Sequence, residues 1–201
     1  MSGFRKMPSW WGRDQTGLRR FNGGASTGTS IAALKCLLAI VLMSEFSTQR
    51  AKVSYNGLME LTGLSRPMIP EAIKKLESEK IIKVDRAGYR NVYELLESKD
   101  DEGWAKVPYD RVKKALSNIS NKGESSLAAL KIYVQLLVNR WQNNYEVIIS
   151  YKTLRKYTGV QAFRIRSGLD ILFSHMLLHV KQAEGESAHN IYTILGNLRV
   201  R

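Results

Sequence analysis

Apolar residues in this 201-residue chain recur at two periods, and the alternation between the periods lays out the elements. Ile31, Leu34, Leu38, Val41 and Leu42 follow Ser30 at helical spacing, which predicts a helix over 31–46 with a wide apolar face and Ser30 as its N-cap. Ser54 then caps a short helix with apolar positions Leu58 and Leu61, and Gly63 supplies the backbone freedom that a tight turn needs. Ser65 restarts a helix in which Ile69, Ala72, Ile73 and Leu76 form one stripe. Pro67 is comfortable in a first turn, while Pro70 restricts the helix start. From Lys80 to Asp85 and from Asn91 to Leu96 the period drops to two, and Ala87-Gly88 between these runs signals a turn, so a hairpin follows.

The pattern occurs twice. Residues 30–84 align with 126–180 at a constant offset of 96, with 14 identities over 55 positions and no gap. Ser30, Ala32, Ala33, Leu34 and Lys35 recur as Ser126, Ala128, Ala129, Leu130 and Lys131. Ser54, Tyr55 and Leu58 recur as Ser150, Tyr151 and Leu154, and Thr62-Gly63 as Thr158-Gly159. Ile69, Leu76 and Val84 recur as Ile165, Leu172 and Val180. Beyond Val84 the offset becomes 99, because Asn91-Val92-Tyr93 matches Asn190-Ile191-Tyr192; three extra residues fall where a loop tip is expected. Upstream, Phe4, Lys6, Met7 and Pro8 echo Trp104, Lys106, Val107 and Pro108 at offset 100, so each unit starts with a lead-in segment. The polar stretch Glu97 to Gly103 has nothing to bury. The expected organisation is a basic and aromatic arm over 1–29, a first domain over 30–96, an acidic linker and lead-in over 97–125, and a second domain over 126–201.

Helix, tight turn, helix and hairpin predict a mainly α chain with small β-hairpins, an α+β fold of two tandem winged-helix domains from an internal duplication. SYNGLMELTGLSRPMIPEAIKKLESEKIIKV and SYKTLRKYTGVQAFRIRSGLDILFSHMLLHV carry a resemblance to the winged helix-turn-helix superfamily over roughly two thirds of the chain. The tandem arrangement, with a lead-in ending in proline, is similar to plasmid and phage replication-initiation proteins. The resemblance implies sequence-specific double-stranded DNA binding, in replication initiation or transcriptional control of a mobile element. The alternative is a structural adaptor using its winged helices to bind protein in a chromosome- or plasmid-organising complex.

Charge sharpens this picture. The net charge is +13, which favours a polyanionic partner. It is +4 over residues 1–29, +3 over 30–96, zero over 97–125 and +6 over 126–201, concentrated on the arm and the second unit. The apolar run Cys36 to Met43 is far short of the roughly 20 residues needed to span a bilayer, so no membrane helix is expected. MSGFRKMPSWWGR lacks the apolar stretch of a secretory signal, which points to the cytoplasm. Cys36, in an apolar stretch, reads as a small core residue.

Candidate contacts follow from helix-turn-helix geometry. In the second unit Gln161, Arg164, Arg166 and Ser167 stand at the start of the second helix, and arginine and glutamine suit guanine and adenine edges. The competing reading is that Arg164 and Arg166 touch only phosphates or solvent. The matching surface of the first unit is Ser65, Arg66, Met68, Glu71, Lys74 and Lys75. The caps Ser54 and Ser150, with Lys152, complete the DNA-facing set, and Arg86, Tyr89 and Arg90 make the first wing basic. The second wing offers Gln182, Glu184, Glu186 and His189 and looks less suited to DNA.

Trp10, Trp11, Arg13, Arg19, Arg20 and Phe21 interleave aromatics with arginines, as a nucleic-acid-binding arm would. Equally, the tryptophans could pack on the first domain. His175 and His179 stand four apart with no carboxylate or cysteine to complete a metal set. No phosphate loop, nucleophile elbow or zinc motif occurs, so neither an enzyme nor a cofactor is expected. Self-association or replication and transcription proteins are the further partners the resemblance suggests.

Overall fold

The computed structural model describes residues 3–88, 90–98, 103–140, 144–182 and 190–198. The chain opens with a strand, β1 (Phe4–Pro8), a one-turn helix, α1 (Trp10–Arg13), and 3-10 turns at Leu18–Arg20 and Gly24–Ser26. A first unit follows as α2 (Thr27–Met43), β2 (Arg50–Lys52), α3 (Tyr55–Thr62), α4 (Met68–Ser78), β3 (Ile82–Asp85) and β4 (Val92–Leu95). A second strand and helix, β5 (Trp104–Pro108) and α5 (Tyr109–Leu116), lead into α6 (Glu124–Asn139) and β6 (Glu146–Ile149). The chain continues through α7 (Tyr151–Thr158), α8 (Ala162–Ser174), β7 (Leu178–Gln182) and β8 (Asn190–Ile194). The fold is α+β: helices with small antiparallel sheets, in the same element order in both units.

Each unit has a three-stranded sheet, β2-β4-β3 in the first and β6-β8-β7 in the second. The central tyrosines, both fully buried, carry matching registers: Tyr93 pairs with Ala51 and Val84, and Tyr192 with Val147 and Val180. These pairs keep the 96-residue offset on the outer strands and the 99-residue offset on the central one. The edge strands β2 and β6 go beyond the two-stranded hairpin expected of the sequence. Arg50-Ala51-Lys52 is too short to register as an alternating run, and only its pairing with Glu94 to Val92 makes it a strand.

The long helix of each unit is its core. From Ser30 to Leu42 every residue of α2 is buried, so the helix is enclosed on all sides, not amphipathic. It starts at Thr27 rather than after Ser30: the Ser30 hydroxyl sits inside the helix and donates to the Asn22 carbonyl at 2.8 Å. Ser126 is likewise an interior residue of α6. Gly24–Met43 proves long and apolar enough to cross a membrane by length and composition, unlike the shorter run expected, but 78% of it is buried inside the protein. Cys36 is buried and free, and burial pushes its thiol up to about 12.

The two lead-ins exchange places. β1 and β5 pair antiparallel with Lys6 opposite Lys106 at the centre, so the segments that echo one another at offset 100 lie together around a local pseudo-twofold. α5, which leads into the second unit, packs on α2 and α3 of the first; α1 and the turn at Leu18–Arg20, which precede the first unit, pack on α6 and α7 of the second. The acidic linker and lead-in region expected over 97–125 therefore contains ordered elements that complete the first unit's core, through Val112, Ala115, Leu116 and Ile119. All the buried apolar residues form one cluster running through both units.

Two buried lysines lock this exchange. Lys35 in α2 donates to the carbonyls of Thr62 at 2.9 Å and Ile119 at 2.5 Å and to Asn121 Oδ1 at 2.6 Å. Lys131 in α6 donates to the Phe21 carbonyl at 3.1 Å. Burial pulls both ammonium groups down to about 8.

Candidate nucleic-acid interface

The turn between the two short helices of each unit, α3 to α4 and α7 to α8, is set by the same three residue types. Ser54 and Ser150 accept from the backbone N–H groups of Gly57 and Thr153, both at 3.1 Å, and so cap α3 and α7. The hydroxyls of Thr62 and Thr158 donate to Leu58 and Leu154, each at 2.6 Å, and accept from Leu64 and Val160. Gly63 and Gly159 then take φ of +67° and +68°, the left-handed conformation that ends a helix without a Cβ penalty. Pro70 is the third residue of α4, where its missing N–H has no intrahelical partner, so the helix can begin at Met68, ahead of it.

In the first unit this framework opens a cleft of about 450 Å³ lined by Val53, Ser54, Tyr55, Asn56, Arg66, Arg90 and Asn91. Arg66 comes from the turn before α4 and donates to Asn56 Oδ1 at 3.0 Å, which aims its guanidinium at the α3 N-terminus. Arg90 reaches the same cleft from the hairpin. No carboxylate lines it, and the positive end of the α3 dipole adds to the two guanidinium charges. The sequence singled out Ser54, Arg66 and Arg90 separately and missed Asn56 and Asn91; only the folded hairpin brings them together.

Other expected contacts are held within the protein. Arg86 pairs with Glu77 through two hydrogen bonds of 2.9 and 2.6 Å, tying the hairpin to α4. Lys75 pairs with Glu79 at 2.6 Å and lies over the Phe21 ring at 5.8 Å, so it faces the N-terminal segment while Lys74 faces solvent. Ser65 and Glu71 are exposed and Met68 is half-buried.

The second unit departs further from its expected surface. Arg164 turns back to α6: its Nε lies 2.8 Å from Glu124 Oε2, and its guanidinium covers the Phe163 ring at 4.9 Å. Ser167 is half-buried, its hydroxyl oxygen 3.1 Å from both Ser125 Oγ and the Arg164 carbonyl oxygen. Gln161 and Arg166 remain exposed. Further exposed positive charge of this unit sits on α7, where Lys152, Arg155 and Lys156 lie on one ridge. Arg19 joins them, donating to the Lys156 carbonyl at 3.3 Å. Arg155 and Lys156 were missed, although their spacing from Lys152, three and four residues, is the signal of a single helical face.

The aromatic arm is folded into the protein. Trp11 and Phe21 are buried with ring centroids 6.3 Å apart, and Gly12 lies against Val138 of α6, so the arm packs on the second unit. Trp10 donates to the Leu96 carbonyl at 2.9 Å. Arg13 lies against Gly103, and Arg20 pairs with Glu79 at 3.3 Å and Asp14 at 3.5 Å. Tyr89, Glu184, Glu186 and His189 lie outside the described residues. His175 ends α8 and the His179 ring stacks edge-on against Phe173 at 5.8 Å. Among the described residues no group of three or more His, Cys, Asp or Glu is placed to hold a metal ion.

No protein-family model matches the chain, and no curated protein matches it as a relative.

Proposed function

We propose that the chain binds double-stranded DNA in the cytoplasm through two winged helix-turn-helix units related by internal duplication, in replication initiation or transcriptional control of a plasmid or phage. Each unit supplies three helices and a small sheet in the winged-helix order, with the second and third helices joined by the Thr-Gly turn. The observation that carries the reading is the convergence of Arg66 and Arg90 on the capped N-terminus of α3, in a carboxylate-free cleft that suits a backbone phosphate. The α7 ridge with Arg19 offers the second unit a comparable track. Phe163 and Phe173, 70% and 55% exposed on α8, favour a second reading for that one helix, in which it meets protein instead of a groove.

Binding to a mixed-sequence duplex at several salt concentrations tests this. The affinity falls steeply with salt, and Arg66→Ala and Arg90→Ala each flatten the log–log slope by about 0.9, one phosphate contact apiece. An affinity independent of salt, or a slope unchanged in both variants, sinks the reading.

A further inference from the structure

The outward face of α8 carries Ala162, Phe163, Arg166, Asp170, Phe173 and Ser174, all exposed. Its centre is Gly168, on the opposite, buried side, where a Cβ would meet the Ala129 nitrogen at 3.0 Å, so α8 is pinned against α6 at its midpoint. Reading outward from 168 in both directions, Arg166 answers Asp170, Phe163 answers Phe173, and Ala162 answers Ser174. Helical geometry makes the positions symmetric; it does not dictate opposite charges at the inner pair, matched aromatics at the next and small residues at the ends.

We propose that this face docks a second copy of the chain, α8 against α8 in antiparallel alignment about a twofold axis at Gly168. That alignment sets Arg166 of each copy opposite Asp170 of the other, and each Phe163 opposite the other copy's Phe173, a self-complementary patch of the kind an isologous interface requires. The phenylalanines lie about 15 Å apart along the helix, ten residues at 1.5 Å each, so they close both ends of the contact around the charged pair.

The first unit is the internal control. The positions 96 residues earlier are Pro67, which precedes α4, and Pro70, Lys74 and Glu77 on it, with Glu77 bound to Arg86. The fold therefore does not need aromatic residues there. The two charges of this outward face are uncommitted in the single chain: among the described residues neither Arg166 nor Asp170 has an ion-pair partner, although they stand four apart. Net charge at the face is zero, which suits a second copy better than a polyphosphate. The Phe173 ring lies against His179 and extends the apolar rim.

The inference stands apart from DNA binding, and its test needs no DNA. Sedimentation velocity over a concentration series reads a monomer–dimer equilibrium of the full chain. Arg166→Asp and Asp170→Arg each replace two attractive contacts by two repulsive ones and weaken the dimer by about tenfold or more. The double variant R166D/D170R restores the pairing with its polarity reversed and returns the dimer to near its original strength. Phe163→Ser or Phe173→Ser abolishes it, with circular dichroism confirming an unchanged fold. A chain monomeric throughout the series overturns the proposal, as does a dimer indifferent to single reversals or a double variant no better than the singles. Single reversals that leave the monomer–dimer equilibrium unchanged and lose only DNA binding also overturn it, and return the face to DNA.

Discussion

Lys35 and Lys131 occupy matching places in the two long helices, and each donates to a carbonyl of the segment that leads into the opposite unit, Ile119 for the first and Phe21 for the second. A chain of two similar modules can thus be one folding unit. Each ammonium is buried and takes at least one partner from a segment that its own module does not supply, so neither module has a finished core alone.

The halves are therefore expected to fold only together. Residues 1–98 made separately lack Val112, Leu116 and Ile119 beneath α2 and α3, and residues 103–201 lack Trp11, Leu18 and Phe21 beside α6. Neither half alone gives a cooperative thermal transition, and mixing them restores one. Two independent transitions matching those of the intact chain would show the exchange to be dispensable.

Stability rises with pH just above neutrality. Both lysines titrate near 8 in the folded protein and near 10.4 when unfolded. Between these values the unfolded state binds more protons, and each lysine adds up to about 1.4 kcal/mol per pH unit. The gain runs from about pH 8 to 10; the Cys36 thiol, pushed up to about 12 by burial, subtracts from it above about pH 9, and tyrosines such as Tyr93, likewise pushed up to about 12, do so above about pH 10. Denaturant unfolding across that window shows the rise, and Lys131→Met reduces its slope.

The two turn glycines differ in what an added methyl group would strike. At Gly63 a Cβ meets the Ser117 carbonyl oxygen at 2.9 Å; at Gly159 it meets only the flexible Arg19 Cγ at 3.2 Å. Both alanine variants incur the left-handed penalty of about 1–2 kcal/mol. Gly63→Ala costs more, because backbone rather than a side-chain stem must move. Equal losses in chemical denaturation would mean that α5 yields freely.

Much of this was legible locally. The caps at Ser54 and Ser150 and the Thr-Gly turns depend on residues within a few positions of one another, and the change of offset from 96 to 99 reappears in the registers of Tyr93 and Tyr192. What escaped depends on distant partners. Ser30 looked like a cap because its acceptor, the Asn22 carbonyl, precedes the apolar run. The pairing of β1 with β5 joins residues about a hundred positions apart, and no periodicity within either strand announces it. At the site, Arg66 and Arg90 were visible as charges, but their meeting at one helix end depends on how the hairpin folds back.

Arg164 provides the sharpest separation between a structural and a DNA-contacting arginine. It stands on the helix that the sequence offers for base reading, yet it is held by Glu124, which also accepts from the Gly24 backbone N–H at 3.0 Å. Arg164→Ala should therefore act on stability and spare DNA affinity, and Glu124→Gln should do the same. Both side chains are about one-third exposed, so solvent screens the pair and the coupling in a double-mutant cycle is small, about 0.5 kcal/mol. Arg66→Ala shows the converse: its affinity loss is large and salt-dependent, while its unfolding midpoint moves little, because its one hydrogen bond, to Asn56, is exposed. Unfolding and duplex titration on the same three proteins separate these outcomes. If Arg164→Ala lowers affinity as much as Arg66→Ala while leaving stability intact, then Arg164 leaves Glu124 to meet DNA, and α8 belongs in the groove.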